Sequence, residues 1–292
     1  MQRLVKNKLI YFLKIIITIT ILFFIFRKID FIQLIHTFKN IGITTVIIIL
    51  LIAVIKIFIE YKNWGHYLKI NPDYIPQNSE IFRSLMIGHS LRFLIPGGHG
   101  VVGKMYFVNN RKMLTFMSVG VEKFFQIWIN LLFASFAAIF YFRHTQLFWM
   151  ICLFILILSL PLLIYLIKHL HKKKSVEIYF KKYLKIVPRI CSMQGIYMAL
   201  TIFQYFLLLN NFLRFHIFSA IISIPLILFA NVIPITYAGL GLREQFAMEV
   251  LSKYQISSEI AITASLTIFI LNSVLPAISG LYYIIKKSYI KT

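Results

Sequence analysis

Two stretches of the chain set charged residues beside breaks in otherwise apolar, helix-like sequence. The first carries Arg92, then Pro96-Gly97-Gly98-His99-Gly100, then Lys104 and, further on, Glu122. The second, NVIPITYAGLGLREQFAMEVL from Asn231 to Leu251, holds Pro234, Gly239, Gly241, Arg243 and Glu244. Proline removes a backbone donor and clashes with the preceding turn, and glycine reaches backbone angles that other residues avoid. In an apolar setting such backbone persists only where protein or a watery cavity satisfies its polar groups. Charged side chains there are costly, which marks them as functional candidates. Helices beginning near Gly100 and Gly241 would offer free N–H groups and a positive dipole end to an anion such as phosphate. Lys104 and Arg243, one turn in, would add charge-assisted contacts. Glu122 and Glu244 would temper that positive charge or carry a proton. The candidate substrate-binding residues are therefore Lys104, Arg243, Glu244, Glu122, Gly98, Gly100, Gly239, Gly241 and Arg92, with Pro96 and Pro234 as the structural breaks. Arg92 is equally open to snorkelling toward the cytoplasmic surface.

Other chemistries find no support in the residue pattern. No Ser-His-Asp order, HExxH or paired catalytic aspartate is visible, so no catalytic residue is assigned and the chain is expected not to be an enzyme. No His or Cys pair has metal-ligand spacing, so no metal and no cofactor are expected. His89 and His99 stand alone near a helix break and are expected to cap backbone groups. Gly98-x-Gly100-x-x-Gly103 mimics a dinucleotide fingerprint, and Gly98 to Lys104 most of a phosphate-binding loop. The latter needs Ser or Thr after its lysine, and Met105 stands there. The former needs further βαβ units, whereas the following segments are apolar helices.

The elements that must position these residues are membrane spans. Hydrophobic residues make up 60% of the chain, against about 45–50% in soluble domains. Leu9–Phe26, Ile41–Ile59, Ser118–Phe142, Leu147–Ile167, Gly195–Leu213 and Ala261–Ile285 read as six full spans. The helix over Asp30–Asn40, with Phe31, Leu34, Ile35 and Phe38 on one face, reads as lying on the membrane surface. Lys56 and Glu60, four apart near a span end, are expected to pair and snorkel. The Pro96 and Pro234 regions read as broken, re-entrant hairpins. Lys168 to Arg189 is a basic loop whose Val176, Tyr179, Phe180, Tyr183, Leu184 and Val187 form the apolar stripe of a second surface helix.

The chain holds 31 Lys+Arg against 9 Asp+Glu, a formal charge of +22. The basic residues lie between apolar runs, so the expected partner is an anionic lipid surface, above all at 168–189, and not nucleic acid. Cytoplasmic loops of membrane proteins concentrate Lys and Arg, which places the N-terminus, the 168–189 loop and the C-terminus in the cytoplasm. The Pro96 hairpin must then enter and leave from the inside, and the Pro234 hairpin from the outside. Span, hairpin, span over residues 41–142 thereby mirrors span, hairpin, span over 195–285 in opposite orientation. Inverted repeats with broken helices meeting near the midplane typify secondary transporters. The expected fold is an all-α polytopic membrane protein, one integral membrane domain over residues 1–292. Its expected location is the cell membrane of a bacterium or archaeon.

PGGHGVVGK followed by VEKFFQ, and then PITYAGLGLRE, resembles the transmembrane region of lysylphosphatidylglycerol synthases, the flippase half of multiple peptide resistance factor. The resemblance extends over nearly the whole chain. It departs at Lys104, where the family usually has Arg, and at Gln126, where it usually has Asp. The full-length enzymes add a soluble lysine-transferring domain, which is not expected here because the stretch after Lys287 is too short to fold. The resemblance thus implies a lipid-handling module without the synthase, one that translocates a phospholipid or other polar lipid across the cell membrane. Alternatives are a membrane enzyme or enzyme subunit modifying a polar or polyprenyl lipid, and a scaffold for a separate synthase or transferase partner.

Overall fold

The computed structural model describes the backbone of residues 31–290, except 72, 95, 143–146, 171–173, 234, 235, 237 and 238. The expected span Leu9–Phe26 and the break at Pro234 lie outside the described residues. Among those described, the secondary structure is all helical.

The short helix α1, Phe31–Lys39, turns Thr37 inward and packs Phe38 beside Ile262. Among the described residues, four helices are long and apolar enough to cross a membrane: α2 (Ile43–Leu68), α4 (Lys112–Tyr141), Leu184–Asn210 and Ser258–Ile285. Their outward faces carry exposed large apolar side chains such as Leu51, Phe58, Phe116, Phe136 and Ile278, the pattern lipid contact requires. Helix α5, Leu147–Leu170, is apolar over Leu147–Leu160 and packs on α4.

Leu184–Asn210 is the apolar part of a longer helix, α6, Lys174–Asn210. The expectation of a basic loop over 168–189 is corrected here, because α5 runs to Leu170 and α6 starts at Lys174. Pro188 sits inside α6 without ending it. The basic stretch from Lys174 is thus part of a helix continuous with the span, and not a loop.

The span Ser258–Ile285 consists of α9 (Ser258–Phe269), a π-helical turn Ile270–Val274, and α10 (Leu275–Ile290). Such turns occur within α-helices at functional sites, and this one carries Asn272 and Ser273.

Two hairpins complete the fold. The first pairs α3 (Asn78–Leu94) with a 3₁₀ stretch, Pro96–Phe107. An α-helix beginning near Gly100 was expected, and the return arm is 3₁₀ instead. Gly97, Gly98, Gly100 and Gly103 are poor α-helix formers. The looser 3₁₀ rise of about 2.0 Å per residue also lets this short arm match the length of α3. The second hairpin pairs α7 (Ile217–Phe229), extended by a 3₁₀ turn Ala230–Val232, with α8 (Leu242–Ser252). Here the helix does begin at Gly241, as the sequence predicts.

Hydrogen bonds gather the helix ends into two groups. At one end Asn71 Nδ2 donates to Asn110 Oδ1 at 2.6 Å, and Glu80 accepts from both the Tyr74 hydroxyl and the Asn109 N–H. Burial and the Glu80 carboxylate hold the Tyr74 phenol above its ordinary pKa. At the other end Asn211 bonds Gly42 N and the Asn40 carbonyl, Lys253 Nζ bonds the Tyr141 carbonyl at 2.9 Å, and Phe215 meets Tyr254 edge to face. Glu80 to Asn109 closes the first hairpin at the end where it started, and Phe215 to Tyr254 closes the second at the opposite end.

The packing pairs are reciprocal. The first arm of the first hairpin, α3, lies on the last span, α10, and the first arm of the second hairpin, α7, lies on α4. Spans α2 and α6 pack on each other. The α3–α10 approach is close: Ser90 Oγ donates to the Ala277 carbonyl, and a Cβ at Gly280 would strike the Met86 backbone carbonyl.

Candidate functional site

The helices enclose a cavity of about 490 Å³. Of the residues singled out from the sequence, Arg92, Lys104, Glu122 and Arg243 line it together. They come from α3, the 3₁₀ arm, α4 and α8, so both hairpins contribute.

The second hairpin holds Arg243 by a short local device. Gly239 and Gly241 adopt φ of +81° and +83°, which side-chain-bearing residues avoid. A Cβ at Gly239 would also meet Asn231 Oδ1 at 2.9 Å. The chain can therefore turn sharply into α8. Glu244 then reaches back and accepts the Gly241 N–H at 2.7 Å, closing the free helix start. Its other oxygen accepts from Arg243 Nη2 at 2.6 Å and from Ser265 Oγ at 2.8 Å. Ser265 Oγ in turn accepts from Arg243 Nε at 2.8 Å, and the guanidinium lies over the Phe269 ring. Two of the five guanidinium N–H groups are used in this clasp, and Arg243 lines the cavity. Glu244 is buried and does not line the cavity. What it does in the structure is orient Arg243 and cap α8.

The first hairpin treats Lys104 differently. Its ammonium pairs with Glu122 and lies 3.6 Å from the centroid of the Trp64 ring. Lys104 is 1% exposed. Desolvated ammonium over an aromatic face is held electrostatically, so this cation is already matched by the protein. Gly100 is buried in the 3₁₀ arm, and Gly98 and Pro96 lie in the same stretch.

Arg92 lines the cavity and makes no hydrogen bond or ion pair among the described residues. Tyr197, Glu60 and Arg243 line the cavity with it.

Several site residues were missed or misassigned in the sequence. Lys56 and Glu60 do not pair and snorkel. Lys56 is 2% exposed, donates to Gln204 Oε1 at 3.1 Å and lies over the Tyr197 ring. Glu60 is bonded instead to His89 Nε2 at 2.9 Å. His89 therefore binds a side chain, and not the backbone groups it was expected to cap. Gln204 and Asn272 bond each other at 2.9 Å, linking α6 to the π-helical turn. Lys123, passed over for Glu122, lines the cavity and donates to Gln126 Oε1 at 2.8 Å. Asn231 lines it as well. The signal that could have found Lys56 and Glu60 was their position inside a span, where charge is costly. No group of three or more His, Cys, Asp or Glu that could hold a metal occurs among the described residues.

The model of one protein family, described as "Lysylphosphatidylglycerol synthase TM region", matches residues 11–280. No curated protein and no solved structure matches the chain. With its apolar spans, the chain is an integral membrane protein of a lipid-related family.

Proposed function

We propose that this chain, which belongs to the lysylphosphatidylglycerol synthase TM-region family, translocates a polar lipid across the cell membrane. The lipid headgroup crosses through the cavity while the acyl or prenyl tails stay in the bilayer. The observation that carries this reading is that Arg92 and Lys104 of the first hairpin and Arg243 of the second line the same cavity. A lipid phosphate held by one hairpin can pass to the other without leaving a cationic surface.

Three features support the reading. The cavity volume of about 490 Å³ lies in the range of small-molecule sites. The reciprocal packing of α3 on α10 and α7 on α4, with the hairpins closing at opposite ends, fits an inverted repeat over 41–142 and 195–285. A guanidinium with free N–H groups suits the planar, bidentate recognition of phosphate. In this reading the hairpins are re-entrant, both termini are cytoplasmic, and the basic stretch 168–189 contacts anionic lipid. The protein itself performs no covalent chemistry, and no cofactor takes part.

Purified protein in liposomes separates the readings. Translocation requires a labelled lipid to change leaflet with no change in its mass. A new lipid species under the same conditions would mark an enzyme. Neither movement nor a new species would leave the scaffold for a separate synthase.

A further inference from the structure

The cavity wall carries five cationic side chains: Lys56, Arg92, Lys104, Lys123 and Arg243. Three carboxylates oppose them, Glu60 and Glu122 in the wall and Glu244 behind Arg243. With His89 counted neutral, two positive charges are left over among the described residues. The surplus has a location. The charge of Lys104 is balanced by Glu122 and that of Arg243 by Glu244. Lys56 is held by the amide of Gln204, Lys123 by the amide of Gln126, and Arg92 makes no hydrogen bond or ion pair among the described residues. Arg92, Lys123 and Lys56 line the same cavity.

From this arrangement we infer that the headgroup handled by the cavity is a phosphomonoester or diphosphate carrying about two negative charges, bound by Arg92, Lys123 and Lys56. A phosphomonoester holds about −1.5 to −2 at neutral pH and presents three acceptor oxygens. A phosphodiester such as phosphatidylglycerol brings one charge, and its lysylated form, with two ammonium groups, is net cationic. The neutral amides of Gln126 and Gln204 orient Lys123 and Lys56 without cancelling them. The cationic lipid would meet the two surplus like charges in a wall of reduced dielectric, where repulsion is strengthened. The chemistry fits both phosphatidic acid and an isoprenoid diphosphate.

This inference rests on the proposed passage of the headgroup through the cavity, but its test reads binding alone. Protein in detergent is titrated calorimetrically with short-chain phosphatidic acid, farnesyl diphosphate, short-chain phosphatidylglycerol, its lysylated form, inorganic phosphate and pyrophosphate. The expected result is that phosphatidic acid or farnesyl diphosphate binds at least about tenfold tighter than phosphatidylglycerol, the scale of one charge-assisted contact. Whichever of the two binds tighter identifies the lipid class. Arg92→Gln and Lys123→Gln should each shrink that preference in protein that remains monodisperse. Equal or tighter binding of phosphatidylglycerol or its lysylated form overturns the inference, as does a preference unchanged in both variants. Inorganic phosphate or pyrophosphate bound as tightly as the lipids overturns the lipid assignment. Tight binding of the dianionic lipid with no leaflet movement would defeat translocation and leave this inference standing. Movement of the lysylated lipid with weak dianion binding would do the reverse.

Discussion

Glu60 and His89 lie 2.9 Å apart, carboxylate to ring nitrogen, and tie the span Ile43–Leu68 to the outer arm of the first hairpin. Both side chains are mostly buried and line the cavity. His89→Leu would leave the carboxylate without this partner, at about 1–3 kcal/mol. His89→Gln keeps a donor and should lose less. Thermal unfolding in detergent checks this, and equal midpoints for the two variants would show that the pair contributes nothing.

Gly280→Val should be strongly destabilising. The added side chain would strike the Met86 carbonyl and push α10 off α3, breaking the Ser90–Ala277 hydrogen bond. Overpacking of this kind costs about 1–3 kcal/mol. Gly120→Val is the control, since a Cβ at Gly120 meets nothing within 4 Å. Yield and unfolding midpoint should fall for the first variant and hold for the second.

Gly241→Val should damage transport without touching a charge. A branched residue at φ of +83° and ψ of −56° lies in a sparsely populated region and is strained by about 1–3 kcal/mol. Relieving that strain shifts the N–H that Glu244 accepts, and with it the clasp on Arg243. The variant should insert normally and move lipid as poorly as Arg243→Ala. Normal movement would show that the turn does not set the arginine.

The orientation is testable at two exposed loop positions. Gln255 lies at the end where the second hairpin closes, and Asp73 at the end where the first closes. A single cysteine at Gln255 should react with an impermeant thiol reagent in intact cells, in protein freed of Cys152 and Cys191. One at Asp73 should react only after permeabilisation. The opposite result would invert the topology.

Four of the six expected spans were legible because long apolar runs have few other solutions, and the break at Gly239–Gly241 because only glycine adopts those angles freely. Arg243 followed from its place after that break. The partners of the buried charges were not legible. Lys56 and Glu60 sit four apart, and their spacing pointed to each other, whereas tertiary packing brings Gln204 from α6 and His89 from α3. Pro188 and the surrounding lysines read as a loop, yet the helix continues through them. The π-helical turn at Ile270–Val274 left no local mark, since its sequence suits an ordinary helix equally well.

The central claim, that Arg243 helps carry a headgroup through a cavity shared by both hairpins, is tested most directly by leaflet-resolved lipid movement in reconstituted vesicles. Arg243→Ala is a fair probe because Glu244 keeps its bonds to Gly241 N and Ser265 Oγ, so the fold has little reason to fail. The predicted result is a loss of movement of about ten- to a hundredfold, the scale of one charge-assisted contact. Arg243→Lys should restore part of it, since a point charge replaces a planar fork. Near-normal movement by monodisperse protein carrying both Arg243→Ala and Lys104→Ala would contradict the account.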